Sequence, residues 1–255
     1  MGHIAKVFII QSLKTTDKLK SGEELNKQLS TTILTDFKNV ETDEELFAQL
    51  DKIKDELKGK TGQYILHFDC HGNKGGIGVF DKLDHSHFIS WEDLRDKLRE
   101  IYLASDIKPI VSFSSCEGFN VAKLVANFKP CPYYLITGSF KKIGFQDSVD
   151  GYLTFYRNID VGKDYMENVK EVRDKFPKLD FASFTAEQLF HIGWTSYLRV
   201  ELTPERINER KECIKAEIIA LVGTITKEQE EFLNKQFTNQ AANEHYDRYR
   251  EIFFS

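Results

Sequence analysis

The chain has 255 residues, of which 41% are hydrophobic and 13% aromatic, a composition that forms a packed core and excludes an intrinsically disordered protein. Its formal charge of -5 is spread over 40 acidic and 35 basic residues without a long basic run, which argues against direct binding of nucleic acid. No stretch approaches the roughly 18 to 20 apolar residues that cross a bilayer, and the first residues lack a secretory cleavage site, so we expect a cytoplasmic protein without a membrane partner.

The four cysteines are Cys70, Cys116, Cys131 and Cys213, and no two of them form a C-x-x-C pair. They are too few for a disulfide scaffold and lack the spacing of a structural zinc site. We therefore expect free thiols in a reducing compartment.

The first half of the chain alternates strand-like and helix-like segments. Residues 4–10 form a β-branched apolar run that predicts a buried strand, and a helix is predicted over 23–29. The apolar spacing over 42–57 predicts the next helix, and 64–70 the next strand. The glycines after it predict a hairpin that returns through 77–80.

The alternation continues beyond this hairpin. Ser90 precedes a predicted helix, 109–115 reads as a strand, 117–128 as a helix and 133–137 as a further strand. This order predicts an α/β fold with a mainly parallel sheet and helices on both faces, in which active sites lie at the carboxyl ends of the strands.

From about residue 146 the strand pattern fades and helices are predicted over 163–176, 183–192, 204–221 and 226–237. No linker rich in Pro, Gly or Ser interrupts them. We predict one α/β domain over 1–200 and a helical C-terminal extension over 201–255 that packs on the same domain.

Two predicted strands end on reactive side chains. The strand over 64–70 leads into His71 and Gly72, and the strand over 109–115 leads into Cys116. Because parallel crossovers bring both ends to one edge of the sheet, Cys116 and His71 could act as nucleophile and proton-transfer partner if their strands are close.

Cys116 precedes a predicted helix, whose N-terminal dipole favours a thiolate. Gly72 has no Cβ, so its N–H and that of Cys116 could both donate to an oxyanion. A lone cysteine is more often a core residue. The strand end, the helix start and the small neighbours Ser114, Ser115 and Gly118 favour the catalytic interpretation.

The segments LHFDCHG over 66–72 and VSFSSCEG over 111–118, with SWEDL over 90–94 between them, resemble the CHAT group of caspase-like cysteine peptidases of clan CD, in its bacterial form. The segment QDSVDGYLTFYRNIDVGKDYMENV over 146–169 is similar to the region that follows the cysteine in that group. The resemblance covers about residues 64–172.

This resemblance implies a thiol protease in which His71 and Cys116 are the catalytic dyad and the amides of Gly72 and Cys116 form the oxyanion hole. It implies a protein or peptide substrate and a reaction that needs no metal cofactor. The group often acts in bacterial defence, including antiviral defence, or in regulated death. Some members cleave a gasdermin-like pore former or respond to an upstream sensor.

The residue two before the nucleophile helps to shape the substrate pocket in this group. Caspases place glutamine there, and relatives that cut after basic residues commonly place an acid. Here the residue is Ser114. A small neutral side chain predicts neither preference, so Ser114 leaves the specificity of the pocket open.

Several of these residues also allow a different interpretation. His67, Asp69 and His71 alternate on one strand and could bind a metal, although a hydrogen-bonded core histidine is the preferred interpretation of His67. Asp69 could instead orient His71 or be a structural polar residue. The glycine-rich segment 73–78 looks like a phosphate loop but runs into an extended segment, which favours a hairpin.

The residues 114–118 also approximate a nucleophile elbow, which would make the chain an α/β-hydrolase that uses Cys116 with His191 as its base. A histidine on an apolar helix face is usually structural. From a different class, the chain could be a non-catalytic interaction module whose helical C-terminal part is the binding surface.

Overall fold

The computed structural model describes residues 3–125, 129–237 and 239–255. The chain divides into two compact units, one made of residues 1–124 and 131–186 and the other of 125–130 and 187–255. The first unit contains the sheet. The second is helical, as predicted for the end of the chain, while the predicted domain boundary at residue 200 stays a prediction.

The strands are β1 (Ile4–Ser12), β2 (Thr35–Asn39), β3 (Gln63–Asn73), β4 (Gly76–Phe80), β5 (Ser86–Ser90), β6 (Ile110–Phe113), β7 (Leu135–Ser139) and β8 (Phe181–Thr185). The α-helices are α1 (Ser21–Leu29), α2 (Asp43–Leu57), α3 (Trp91–Ala104), α4 (Phe145–Asp160), α5 (Tyr165–Lys175), α6 (Ala186–Glu201), α7 (Pro204–Val222), α8 (Lys227–Lys235) and α9 (Asn239–Phe254).

The main sheet has the strand order β2, β1, β3, β6, β7, β8. Neighbouring strands are parallel except for β8, which is antiparallel to β7. Strand β4 pairs antiparallel with β3, and β5 pairs antiparallel with β4. This arrangement confirms the predicted fold class, a mainly parallel α/β sheet, and is consistent with a caspase-like fold.

Alternate side chains of the central strands enter the cores on opposite faces of the sheet. His67 contacts Tyr156 of α4 on one face. On the other face Phe68 stacks on Phe113 at 4.9 Å, and Phe113 meets the ring of Trp91 at the start of α3 at 5.2 Å. Helices therefore cover both faces, as predicted for a parallel sheet.

Helices α2 and α3 begin at the capping residues that the sequence predicts. The side chain of Thr42 accepts a hydrogen bond from the N–H of Glu45 at the start of α2, and that of Ser90 accepts one from Asp93 at the start of α3. Each cap pairs one of the N–H groups that the first helical turn leaves without a partner. The apolar side of α3 is buried through Leu94 and Leu98.

The structure differs from the predicted elements in several places. The helix predicted over 117–128 is a 3₁₀ helix over Gly118–Val125, and residues 126–128 lie outside the described ranges. The helix predicted over 183–192 begins only at Ala186, because 181–185 forms β8. Strands β2, β5 and β8 were not predicted, since they are short and lie at the edges of the sheet or in the hairpin that extends it.

The second unit is held together by aromatic side chains of α6 and α9. Phe190 packs against Phe253 at 5.2 Å between ring centroids, and Trp194 against Tyr246 at 5.4 Å.

None of the helices in the described ranges combines the length and apolar character that crossing a bilayer requires.

Candidate active site

The strands that carry His71 and Cys116 are neighbours. β3 and β6 run parallel, with Phe68 opposite Phe113, and the N–H of Ser114 donates to the carbonyl oxygen of Phe68 at 2.8 Å. His71 follows Phe68 by three residues, and Cys116 follows Phe113 by three. Both residues therefore lie beyond the same edge of the sheet, as the catalytic interpretation requires.

The backbone segments of the two residues are in direct contact. A Cβ placed on Gly72 would lie 2.7 Å from the carbonyl oxygen of Cys116 and 3.0 Å from Oγ of Ser115. Real Cβ atoms do not approach this closely, so only glycine permits the His71–Gly72 backbone to pass so near the nucleophile segment. Gly72 lies in β3 opposite Ile77 of β4.

His71 and Cys116 line one cavity of about 330 Å³. Its walls come from the segment between β1 and α1, the carboxyl ends of β3 and β6, and the segment that enters α4. This is the edge at which parallel α/β sheets bind their ligands.

Asp17 holds the imidazole of His71. The Nε2 atom of His71 lies 2.8 Å from Oδ2 of Asp17, and the edge of the ring meets Phe80 at 5.3 Å between centroids. The side chain of His71 is 44% exposed and that of Asp17 is 31% exposed. Nδ1 is consequently the ring nitrogen that Asp17 leaves available.

Asp17 was not predicted, and the orienting role considered for Asp69 falls to Asp17 instead. Hydrogen bonds hold the residues just before Asp17. Oδ2 of Asp17 accepts from the N–H of Lys14 at 2.8 Å, and the neighbouring Thr15 and Thr16 both donate to the carboxylate of Asp84. The available signal was its position after β1, at the same edge of the sheet as His71.

Cys116 sits in a tight turn between β6 and the 3₁₀ helix. The N–H of Gly118 donates to the carbonyl oxygen of Ser115 at 3.1 Å, and Glu117 adopts a left-handed conformation with φ of 56°. The N–H of Glu117 donates to the carbonyl oxygen of Lys141 at 3.1 Å. The α-helix expected to begin after Cys116 is absent from 118–125, so the predicted support from an α-helix dipole is wrong.

The amide of Cys116 itself is available. Within the described residues its N–H makes no hydrogen bond to the protein. An N–H next to a nucleophile with no internal partner can donate to an oxygen of a bound substrate. The corresponding role of the Gly72 amide stays a prediction.

The four thiols differ in exposure. Cys116 is partly exposed and lines the cavity, and Cys213 is exposed on α7. Cys70 and Cys131 are buried, and burial raises the pKa of both thiols, that of Cys131 to about 12. Buried thiols of this kind are unreactive.

Asp69 lies deep in the same cavity and is only 1% exposed. Its carboxylate accepts hydrogen bonds from Oγ of Ser21 at 2.8 and 2.9 Å and from the N–H of Gly22 at the start of α1. Burial raises the pKa of Asp69 to about 6, although these hydrogen bonds and one from Ser114 act to lower it.

Ser114, predicted to line the substrate pocket, does line this cavity. It is buried, and its Oγ lies 2.5 Å from Oγ of Ser148 in α4. Ser114 and Asp69 lie at the ends of adjacent strands, so both contribute to the inner part of the cavity.

His67 is a hydrogen-bonded core histidine. Its Nδ1 lies 2.7 Å from the hydroxyl oxygen of Tyr156, and burial lowers the pKa of its imidazole to about 3. His67, Asp69 and His71 each have a different hydrogen-bond partner. In the part of the chain that the structure describes, no group of three or more His, Cys, Asp or Glu side chains is arranged to hold a metal ion.

The glycine-rich segment 73–78 joins β3 to β4 as a hairpin and does not lead into a helix, so it lacks the geometry of a phosphate loop.

His191 is exposed on α6 in the second compact unit, whereas Cys116 belongs to the first. The left-handed residue of the turn is Glu117 and not the nucleophile, unlike a nucleophile elbow, where the strained residue is the nucleophile itself.

No family model matches the chain, and no curated protein matches it. Among solved structures, Raptor from Chaetomium thermophilum is similar over 48% of this chain, at 15% identity and a TM-score of 0.33. The match spans 12% of the length of that protein. A similarity at this level assigns neither a family nor an activity.

Proposed function

We propose that this chain is a caspase-like cysteine peptidase of the CHAT type, with Cys116 as the nucleophile and His71 as its proton-transfer partner. One observation carries the proposal: the backbone at Gly72 touches that of Cys116, which brings His71 and Cys116 to a common cavity. His71 lies at the end of β3 and Cys116 in the turn that follows β6, and these two strands are adjacent and parallel.

In the proposed reaction, His71 takes the proton of the Cys116 thiol and the sulfur attacks the carbonyl carbon of the substrate. The C–N bond breaks, the leaving amine takes the proton from His71, and the acyl group remains bound to sulfur. Water then attacks the thioester, His71 accepts a proton from it, and the thiol is restored as the acid leaves. No metal takes part in these steps.

Asp17 acts as a positioning residue. A carboxylate that accepts a hydrogen bond at Nε2 selects the tautomer in which the proton is on Nε2, and the lone pair on Nδ1 is then available to the thiol. The carboxylate also stabilises the imidazolium that forms when His71 takes the proton. The free N–H of Cys116 supports its proposed role as an oxyanion donor.

The resemblance to the CHAT group carries the wider proposal. The substrate would be a protein or peptide, for example a gasdermin-like pore former, and an upstream sensor would control the enzyme in bacterial defence or regulated death. A cytoplasmic setting agrees with four free thiols, because such thiols persist in reducing compartments.

The test is to incubate a peptide library with the wild type and with Cys116→Ala, His71→Ala, His191→Ala and Cys213→Ala. We expect cleavage by the wild type, His191→Ala and Cys213→Ala, and none by the first two variants. Loss of activity in His191→Ala together with retention in His71→Ala would favour an α/β-hydrolase that uses His191 as its base. Cleavage by Cys116→Ala would contradict both mechanisms, and a wild type that cleaves nothing would favour a non-catalytic interaction module.

A further inference from the structure

We infer that Asp69 makes the cavity beside Cys116 a pocket for a basic side chain, arginine or lysine, on the amino side of the cleaved bond. The inference rests on the proposed peptidase function. Ser114 alone predicted no charge in this pocket. The carboxylate comes instead from the neighbouring strand.

The sheet geometry places Asp69 at the inner end of the cavity that His71 and Cys116 line. Asp69 is two residues before His71, and Ser114 is two residues before Cys116. Asp69 and His71 both lie on β3, where side chains two residues apart point to the same face, about 7 Å apart along the strand. Ser114 and Cys116 follow β6 and line the same cavity. A side chain that enters between His71 and Cys116 and extends by the length of an arginine therefore reaches the carboxylate of Asp69.

Asp69 lacks a cation. Its hydrogen-bond donors are the hydroxyl groups of Ser21 and Ser114 and the N–H of Gly22, which are all neutral. In the described part of the chain no lysine or arginine pairs with Asp69. A buried carboxylate is costly unless a cation lies beside it. A guanidinium or ammonium group from a substrate would supply that cation.

The other charged groups that line the cavity do not supply a cation to Asp69. Asp17 is engaged with His71, and Lys18 is exposed. An acidic substrate side chain would face the carboxylates of Asp17 and Asp69, and an apolar one would leave Asp69 buried without a partner. Both outcomes are unfavourable relative to a basic side chain.

The size and walls of the cavity suit a long side chain. Its volume of about 330 Å³ lies at the lower end of the range of ligand pockets. Leu13, Leu19, Ile143 and Phe145 contribute apolar surface. Arginine and lysine bury their methylene stems against such surface while the charged group reaches a polar partner.

The first test uses four fluorogenic peptides that differ only in the residue before the cleaved bond: arginine, lysine, leucine or glutamate. We expect kcat/KM for the basic peptides to exceed that for leucine by about 30-fold or more, and Asp69→Asn to lower kcat/KM for the basic peptides to about the value for leucine in the same variant. Asp96→Asn, on the exposed surface of α3, is the matched control and should keep the preference. Equal rates, or faster cleavage after leucine or glutamate, would overturn the inference.

The second test does not depend on catalysis. Benzamidine, a small aromatic cation, is titrated into Cys116→Ala protein by calorimetry, alone and combined with Asp69→Asn or Ser114→Lys. We expect binding that each second substitution weakens at least about tenfold, since Ser114→Lys would place an ammonium beside Asp69. If the Asp69→Asn protein does not fold, the affinity of the Ser114→Lys protein for benzamidine tests the inference. Absence of binding, or equal binding in the folded double variants, would contradict the basic pocket.

The two tests separate the inference from the proposed function. If no peptide is cleaved but benzamidine binds in an Asp69-dependent manner, the peptidase proposal fails, whereas the binding of a basic group by Asp69 stands. If peptides are cleaved only after apolar residues, the peptidase proposal stands and the basic pocket fails.

Discussion

The Nε2 atom of His71 lies 2.8 Å from Oδ2 of Asp17, a residue 54 positions earlier in the chain. The contact joins the segment after β1 to the end of β3, two strands that are neighbours in the sheet. The proposed dyad therefore has a third member supplied by a loop.

We expect Asp17→Asn to lower kcat by about 100-fold, because an amide no longer selects the required tautomer or stabilises the imidazolium. KM should change less than kcat, and ¹⁵N NMR of His71 should show the proton redistributed between its two nitrogens. Asp17→Glu should recover part of the activity. Asp81→Asn is the matched control, because Asp81 pairs with His85 in an exposed turn. An unchanged kcat in Asp17→Asn would remove Asp17 from the mechanism.

Alkylation of the native protein with iodoacetamide should modify Cys116 and Cys213 and spare Cys70 and Cys131. The first two are accessible, whereas burial both shields the other two and raises the pKa of their thiols. Peptide mass spectrometry measures the labelled fraction of each cysteine over time, and labelling in denaturant should reach all four. Fast labelling of Cys70 in the native protein would show that the end of β3 is more open than described.

Gly72→Ala should inactivate the enzyme and lower the free energy of unfolding by about 1 to 3 kcal/mol, the usual cost of overpacking a tight site. The added Cβ would force apart the segments that carry His71 and Cys116. Urea unfolding and peptide cleavage measure the two effects. Gly75→Ala is the control, because its Cβ would come no closer than 3.3 Å to the ring of the exposed Phe88. A fully active Gly72→Ala protein would contradict the close approach.

The stability of the protein should depend on pH through Asp69. Its pKa is about 6 when folded, against an ordinary value of 3.8, so between these values the folded state binds more protons than the unfolded state. The contribution of Asp69 to stability is therefore present below pH 3.8 and is lost as the pH rises to about 6. Each pKa unit corresponds to about 1.4 kcal/mol, so the loss amounts to a few kcal/mol.

His67 changes stability in the opposite direction, because burial lowers its pKa from 6.5 to about 3 and stability is lost as the pH falls through this range. The two contributions overlap, so the measurement is the difference in unfolding free energy between the wild type and Asp69→Asn at pH 4, 5, 6 and 7. The wild type should lose stability relative to the variant as the pH rises. A flat difference would place the pKa of Asp69 near its ordinary value.

Much of the central sheet could be predicted from the sequence. Apolar runs mark β1, β3 and β6, and the hydroxyl of Ser90 marks the start of α3. These signals are local. Strand β2 reads TDFKN and is only partly buried at the edge of the sheet, so neither its composition nor its length distinguishes it from a loop.

The candidate site was only partly predictable, because the missing information is non-local. Cys116 and His71 stand out at strand ends, but their proximity depends on β3 and β6 being neighbours. Asp17 lies in a polar segment without periodicity, and only the folded sheet places it beside His71. The burial of Asp69 likewise comes from α1, which covers the end of β3.

The turn that presents Cys116 is not determined by its own residues. Glu117 occupies the left-handed region, which glycine would adopt at lower cost, and the hydrogen bond from its N–H to Lys141 helps to hold it there. Lys141 follows β7 and precedes α4. A chain cut or an insertion in the segment between β7 and α4 would therefore displace the nucleophile without altering any residue next to it in sequence.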